Sequence, residues 1–157
     1  MALAVILLLT SCNKDEEKVD VFLPAATGTM KAKVNGQETS TVADATDAQT
    51  TSIIRMEISG TTEKSEMLSL VLPIINQAGT YDSVTSGRYV IIHENPQGIT
   101  FQTWLAVSAN LTVTKFDTLE KKISGSFSFL ATPAQGNSAT ENKEITQGTF
   151  TDVPIRQ

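Results

Sequence analysis

From about Thr27 onward the apolar residues recur at every second position, and the breaks between runs fall on Gly, Asn, Asp and Pro. Successive side chains of a strand point to opposite faces, so period-two patterning between turn formers predicts half-buried strands. "MKAKV" sets Met30, Ala32 and Val34 on one face and Lys31 and Lys33 on the other; Asn35 and Gly36 then supply the positive φ angles of a tight hairpin. "IIRMEIS" repeats the scheme, with Ile54, Met56 and Ile58 inward, Arg55 and Glu57 outward, and Gly60 ending the run. "MLSLVLP" fits helical spacing through Leu68, Val71, Leu72 and Ile75 as well as strand alternation through Leu68, Leu70 and Leu72. Pro73 decides for the strand, because a proline inside a helix costs about 3 kcal/mol, whereas a strand simply ends there.

The second half continues in the same way. "GRYVIIHE", the turn "NPQG" and "ITFQTWLAV" predict a hairpin over Arg88 to Val107, joined by Asn95 to Gly98 and rich in β-branched and aromatic residues. "LTVTKFD" and "ISGSFSFLA" predict another around "TLEKK", with Leu111 and Val113 facing Phe127 and Phe129. In "EITQGTF", Ile145 and Phe150 have opposite parity and share a face only if Gln147 and Gly148 form a bulge or turn, which Gly148 makes cheap. Nine or ten short strands and no helix predict an all-β fold, an antiparallel β-sandwich, with a lipocalin-like β-barrel as the alternative. The longest expected loops are Thr132 to Asn142 and Ala43 to Thr51, the places where a β scaffold carries binding residues.

Composition narrows the functional classes. The 157 residues suit one globular domain, and 12 basic against 17 acidic side chains give a net charge of -5, which offers no basic stripe for nucleic acid. One cysteine and one histidine, His93, exclude a disulfide framework and multi-Cys or two-His metal sites. No cofactor is expected.

The cysteine stands at the junction of an apolar run, Ala2 to Leu9, and a charged one, "NKDEEK". As a helix the apolar run reaches only about 12 Å, too short for a bilayer but right for the apolar part of a secretory signal. "LTSC", Leu9 to Cys12, resembles a bacterial lipobox, and "KDEE", Lys14 to Glu17, resembles a surface-export signal that follows the lipidated cysteine in some Gram-negative bacteria. The resemblance implies cleavage before Cys12, acyl chains on its thiol and amine, and a lipid anchor in the outer membrane facing the medium. The expected organisation is a signal peptide over 1–11, a lipidated cysteine and charged tether over 12–26, and a single all-β domain over 27–157.

Behind that lipobox, "KAKVNG", "GTY" (Gly79 to Tyr81), "LTVTKFD", "ISGSFSF" and "TQGTF" occur in the order in which similar words occur in a family of small bacterial lipoproteins whose domain has no assigned function. The resemblance implies a lipid-anchored all-β domain and no chemistry.

Candidate sites are few. His93 and Glu94 are adjacent and would point to opposite faces of a strand, so they read as a hairpin end rather than an acid/base pair. "DATD", Asp44 to Asp47, lacks the ligand spacing and Gly of a Ca²⁺ loop. Ser124, Ser126 and Ser128 have no nucleophile elbow. Trp104, with Tyr89 on the neighbouring arm, is the candidate ligand-binding pair: half-exposed, Trp104 would stack on a sugar or a partner's aromatic ring; buried, it packs in the core, the favoured reading. The function expected is therefore a non-enzymatic surface module that binds a glycan, peptide or protein, with a carrier of an apolar ligand as the alternative.

Overall fold

A computed structural model describes residues 28–50, 53–82 and 85–156 of the chain. The expected leader, Cys12 and tether lie outside the described residues. Ten strands follow in order: β1 (Gly28–Val34), β2 (Gln37–Thr50), β3 (Ile53–Thr61), β4 (Glu66–Pro73), β5 (Gly79–Thr80), β6 (Ser86–Asn95), β7 (Gly98–Ala106), β8 (Asn110–Asp117), β9 (Lys122–Pro133) and β10 (Lys143–Arg156). Each expected run of alternating residues is a strand, and "MLSLVLP" ends as one at Pro73.

Antiparallel pairing links β1 to β2, β2 to β3, β3 to β4, β4 to β6 and β6 to β7, and also β1 to β10, β10 to β9, β9 to β8 and β8 to β5. The two runs meet at a short seam, where Trp104 and Leu105 of β7 lie opposite Pro133 and Thr132 of β9, and at a parallel contact of Ala45 and Thr46 with Ile155 and Arg156. The sheet thus folds over on itself, an all-β arrangement consistent with a sandwich, with the β7–β9 seam joining its halves.

The inward face follows the alternation. Met30 and Ala32 of β1, Met56 and Ile58 of β3, Leu68, Leu70 and Leu72 of β4, and Ile123, Phe127, Phe129 and Ala131 of β9 are all buried in one continuous apolar cluster. Fully burying one such Val, Leu, Ile, Phe or Met side chain is worth about 1.5–3 kcal/mol, so this single stripe supplies most of the drive to fold.

The structure corrects three expectations. Of the expected loop Ala43 to Thr51, the described residues Ala43 to Thr50 are strand: β2 runs on to Thr50, paired with β3 from Val42 opposite Thr61 to Thr50 opposite Ile53, because ladder pairing outweighs the weak strand preference of Asp and Ala. Leu111 does lie opposite Phe127, but Val113 lies opposite Gly125, and the β8–β9 ladder ends at Asn110 and Ser128, so Phe129 extends past β8 to cover Gly87 of β6. The bulge between Ile145 and Gly148 exists and restores Ile145 and Phe150 to one face, yet the positive φ, 50°, belongs to Gln147. Gly148 is needed for a different reason: a Cβ there would stand 2.7 Å from the Phe127 ring.

The two ends of the sheet differ. β1 runs from Gly28 at one end to Val34 at the other, where Asn35 (φ 49°) and Gly36 (φ 81°) turn the chain into β2. The β3–β4, β6–β7 and β9–β10 connections come to the same Val34 end, as the pairing of Val34 with Ile145 requires for the last of them.

Candidate functional site

The cleft at the Val34 end gathers residues from five strands and two turns. Its volume is about 330 Å³, and Asn35, Thr39, Lys64, Glu66, Tyr89 and Lys143 contribute to its lining. Clefts of this size at the mouth of a closed or folded-over sheet are common small-molecule sites.

Glu66 sits at the first residue of β4 and lies opposite Ile91 of β6, two residues beyond Tyr89 on the same face. Its carboxylate is held from both sides: the Tyr89 hydroxyl donates to Oε1 at 2.9 Å and the Thr39 hydroxyl to Oε2 at 3.4 Å. Burial, and then the hydrogen bond and charge of Glu66, push the Tyr89 phenol well above its ordinary pKa of 10.0. Behind Tyr89 stands Trp104, with ring centroids 5.6 Å apart and tilted by 46°. The indole Nε1 donates to the Glu141 carbonyl at 2.8 Å, and the Lys143 ammonium lies 5.1 Å from the ring centroid in cation–π contact.

The pair chosen from the sequence is therefore brought together, but as a packed support. Tyr89 and Trp104 are each 2% exposed, and Trp104 takes the inward parity while Phe101 and Leu105 of the same strand face outward. The polar groups in front of them, Glu66 and Lys143, escaped the sequence reading. Glu66 and Tyr89 are 23 residues apart and meet only through the β4–β6 register, so no local spacing marks them.

The other candidates scatter. His93 hydrogen-bonds Gln102 at 3.2 Å and lies on an exposed hairpin. Ser124 Oγ accepts from the Asp152 amide at 2.9 Å and Ser128 Oγ from the Asn110 amide side chain at 3.2 Å, so both serve the β-ladder. Asp44 and Asp47 fall within strand β2, opposite Ser59 and Met56. Among the described residues no three His, Cys, Asp or Glu side chains gather as a metal site. No described helix is long and apolar enough to cross a membrane.

Of the expected loop Thr132 to Asn142, Thr132 and Pro133 belong to β9, and the rest is strapped onto β7. The Ala134 amide and the Asn137 side chain both donate to the Thr103 carbonyl at 2.8 Å, and Gln102 Nε2 donates to Ser138 Oγ at 3.1 Å. A second groove, about 600 Å³, crosses the outer face toward the other end between Arg55, Val71, Arg88, Leu105 and Val107. Arg88 pairs there with Glu57 at 2.8 Å and reaches Ser69 Oγ at 3.3 Å.

Tyr89→Phe tests the support. Loss of one hydrogen bond to a carboxylate should cost about 1–2 kcal/mol in urea unfolding. The pH dependence has a definite sign: because the folded phenol has a raised pKa, its contribution is fully present below pH 10.0 and is lost as the unfolded phenol ionises above it. Wild-type stability should fall more steeply above that pH than the variant's; parallel curves would refute the assignment.

A model of a domain of unknown function, DUF6252, matches residues 26–154, whereas no curated protein and no solved structure matches the chain. That match runs from just before β1 to the last turn of the ladder in β10, and on this ground the chain belongs to the DUF6252 family.

Proposed function

We propose that the protein is a surface lipoprotein of an outer membrane, lipidated on Cys12 and held off the bilayer by residues 13–26, whose domain binds a glycan or peptide without catalysis through the cleft at the Val34 end. The observation that carries this reading is the polarity of the fold. The described chain starts at Gly28, at the opposite end of β1 from the cleft, and β1 alone spans roughly 20 Å. A molecule tethered through the residues before Gly28 would turn the cleft away from its anchor. The carboxylate of Glu66 and the ammonium groups of Lys64 and Lys143 suit hydroxyl or peptide hydrogen bonding. A carrier of an apolar ligand would want an enclosed apolar space, and the inward face is instead occupied by Met30, Leu70, Phe127 and Phe150.

Two experiments separate address from activity. A fatty-acid probe in cells should label the wild type and not Cys12→Ala; equal labelling would remove the anchor. Glycan and peptide arrays probed with the purified chain should return a ligand whose affinity drops about tenfold in Lys64→Ala/Lys143→Ala. Ligands that bind this variant as tightly as the wild type would move the site elsewhere.

A further inference from the structure

The β6–β7 hairpin outgrows the sheet. β4 accompanies β6 only as far as Ile91, with one further bond from the Ile92 amide to the Ser65 carbonyl, and β9 accompanies β7 only at Trp104 and Leu105. Residues 93–100 pair with one another alone, and they and Phe101, which lies opposite Ile92, are each exposed. A free two-stranded ribbon is marginal in water, and this one also carries Ile99 and Phe101 outward at 58% and 63% exposure.

Its backbone polarity follows from two bonds. The Thr103 carbonyl points away from β6, toward Ala134, and the Ile92 amide points away from β7, toward Ser65. Antiparallel pairs alternate between bonded and non-bonded, so Ile99 and Phe101, which share the parity of Thr103, also aim their N–H and C=O groups away from β6. Among the described residues nothing bonds them there. Natural sheets blunt such edges with charge, as Lys115 and Asp117 do along β8, but Gly98 to Thr103 carries none.

We propose that this edge pairs with the same edge of a second copy of the chain, antiparallel about a two-fold axis through Thr100. The free stretch, Gly98 to Gln102, has Thr100 at its centre. A two-fold there sets Ile99 opposite Phe101 of the other copy and Phe101 opposite Ile99, forming four backbone hydrogen bonds between groups that are now unpaired. Ile99 and Phe101 become cross-strand apolar neighbours and extend the Ile92–Phe101 pair into one face across both copies. The register ends where it should: Gly98 falls opposite Gln102, and beyond it the Thr103 carbonyl is already taken by Ala134 and Asn137. An unrelated extended peptide could use the same edge, but the matched donors, acceptors and apolar side chains of an uncharged, centrally symmetric stretch favour a copy. Five residues a side bury far less than the roughly 1,200–2,000 Å² of a stable interface, so the dimer is weak, and the charge of -5 on each copy makes it tighten with salt.

Sedimentation of the full chain carrying Cys12→Ser should show a dimer fraction that rises with concentration and with salt. Phe101→Lys, at a side chain the fold leaves exposed, should weaken it at least about tenfold with unchanged circular dichroism. In the same background Thr100→Cys should form a disulfide-linked dimer on mild oxidation, because the two-fold brings its Cβ to about 5 Å from its counterpart. Thr114→Cys, equally exposed on β8, is the control. A monomer under all conditions, a dimer indifferent to Phe101→Lys, or cross-linking no faster at Thr100 than at Thr114 would overturn the proposal. A peptide that binds the edge while the chain stays monomeric would do so too.

Discussion

Trp104→Ala should cost the fold about 3–5 kcal/mol, read as a shift of the denaturant midpoint at unchanged slope. The indole is one of the largest fully buried side chains, so truncation leaves a cavity at the β7–β9 seam, where the two runs of the sheet are joined by only a short ladder. It also strips three contacts at once: the ring packing with Tyr89, the hydrogen bond to the Glu141 carbonyl and the cation–π contact of Lys143. Trp104→Phe separates these terms. It keeps much of the apolar volume and loses the indole N–H, so its cost should be about 1–2 kcal/mol, the scale of one hydrogen bond lost. Equal losses in the two variants would show that the hydrogen bond, and not the packing, holds the seam. Because the Glu141 carbonyl tethers the β9–β10 connection, both variants should also raise hydrogen exchange in residues 134–142.

The second large effect is expected at Gly125. Phe150 of β10 lies opposite it, and a Cβ at position 125 would stand 2.5 Å from Cζ of that ring and closer still to the Thr112 carbonyl of β8. The ring can turn, but the carbonyl belongs to a strand paired on β9, so Gly125→Ala must separate β8 from β9 or drive Phe150 out of its rotamer. Overpacking of this kind costs about 1–3 kcal/mol, and at the upper end a domain of this size would lose about 10 °C in Tm. The double variant Gly125→Ala/Phe150→Leu relieves the ring contact and leaves the carbonyl contact. If the double variant recovers most of the loss, the ring is the obstacle; if it recovers none, the β8–β9 spacing is.

The packing around Trp104 is also what makes the candidate functional cleft firm. Trp104 and Tyr89 fill the space behind it, and each is fixed by a hydrogen bond, so Glu66 and Lys143 are presented from a supported wall and not from a mobile loop. A site held on strands keeps its geometry better than one held on connections, and here the longest expected connection is itself strapped to Thr103.

What the amino-acid order determined by itself is everything that depends on period two. The inward sets of β1, β4 and β9, the hairpin at Asn35 and Gly36, the stop at Pro73 and the bulge near Gly148 are local: they follow from side-chain alternation, φ preference and parity, which neighbouring residues settle among themselves. Burial of Trp104 is the favoured reading of the sequence, but which parity of β7 faces inward is not local: the apolar Phe101 and Leu105, of opposite parity, are the ones that face outward. What the tertiary structure alone decided is which strands become neighbours. That choice turned Ala43 to Thr50 from loop into strand, carried Phe129 beyond β8 to Gly87, and set Glu66 under Tyr89 across 23 residues of chain. The same choice left the edge of Gly98 to Gln102 that faces away from β6 without a strand partner among the described residues. Pairing between distant strands is a competition among many apolar edges of similar local propensity, and it is resolved by how well whole faces pack, a quantity that no short stretch of the chain contains.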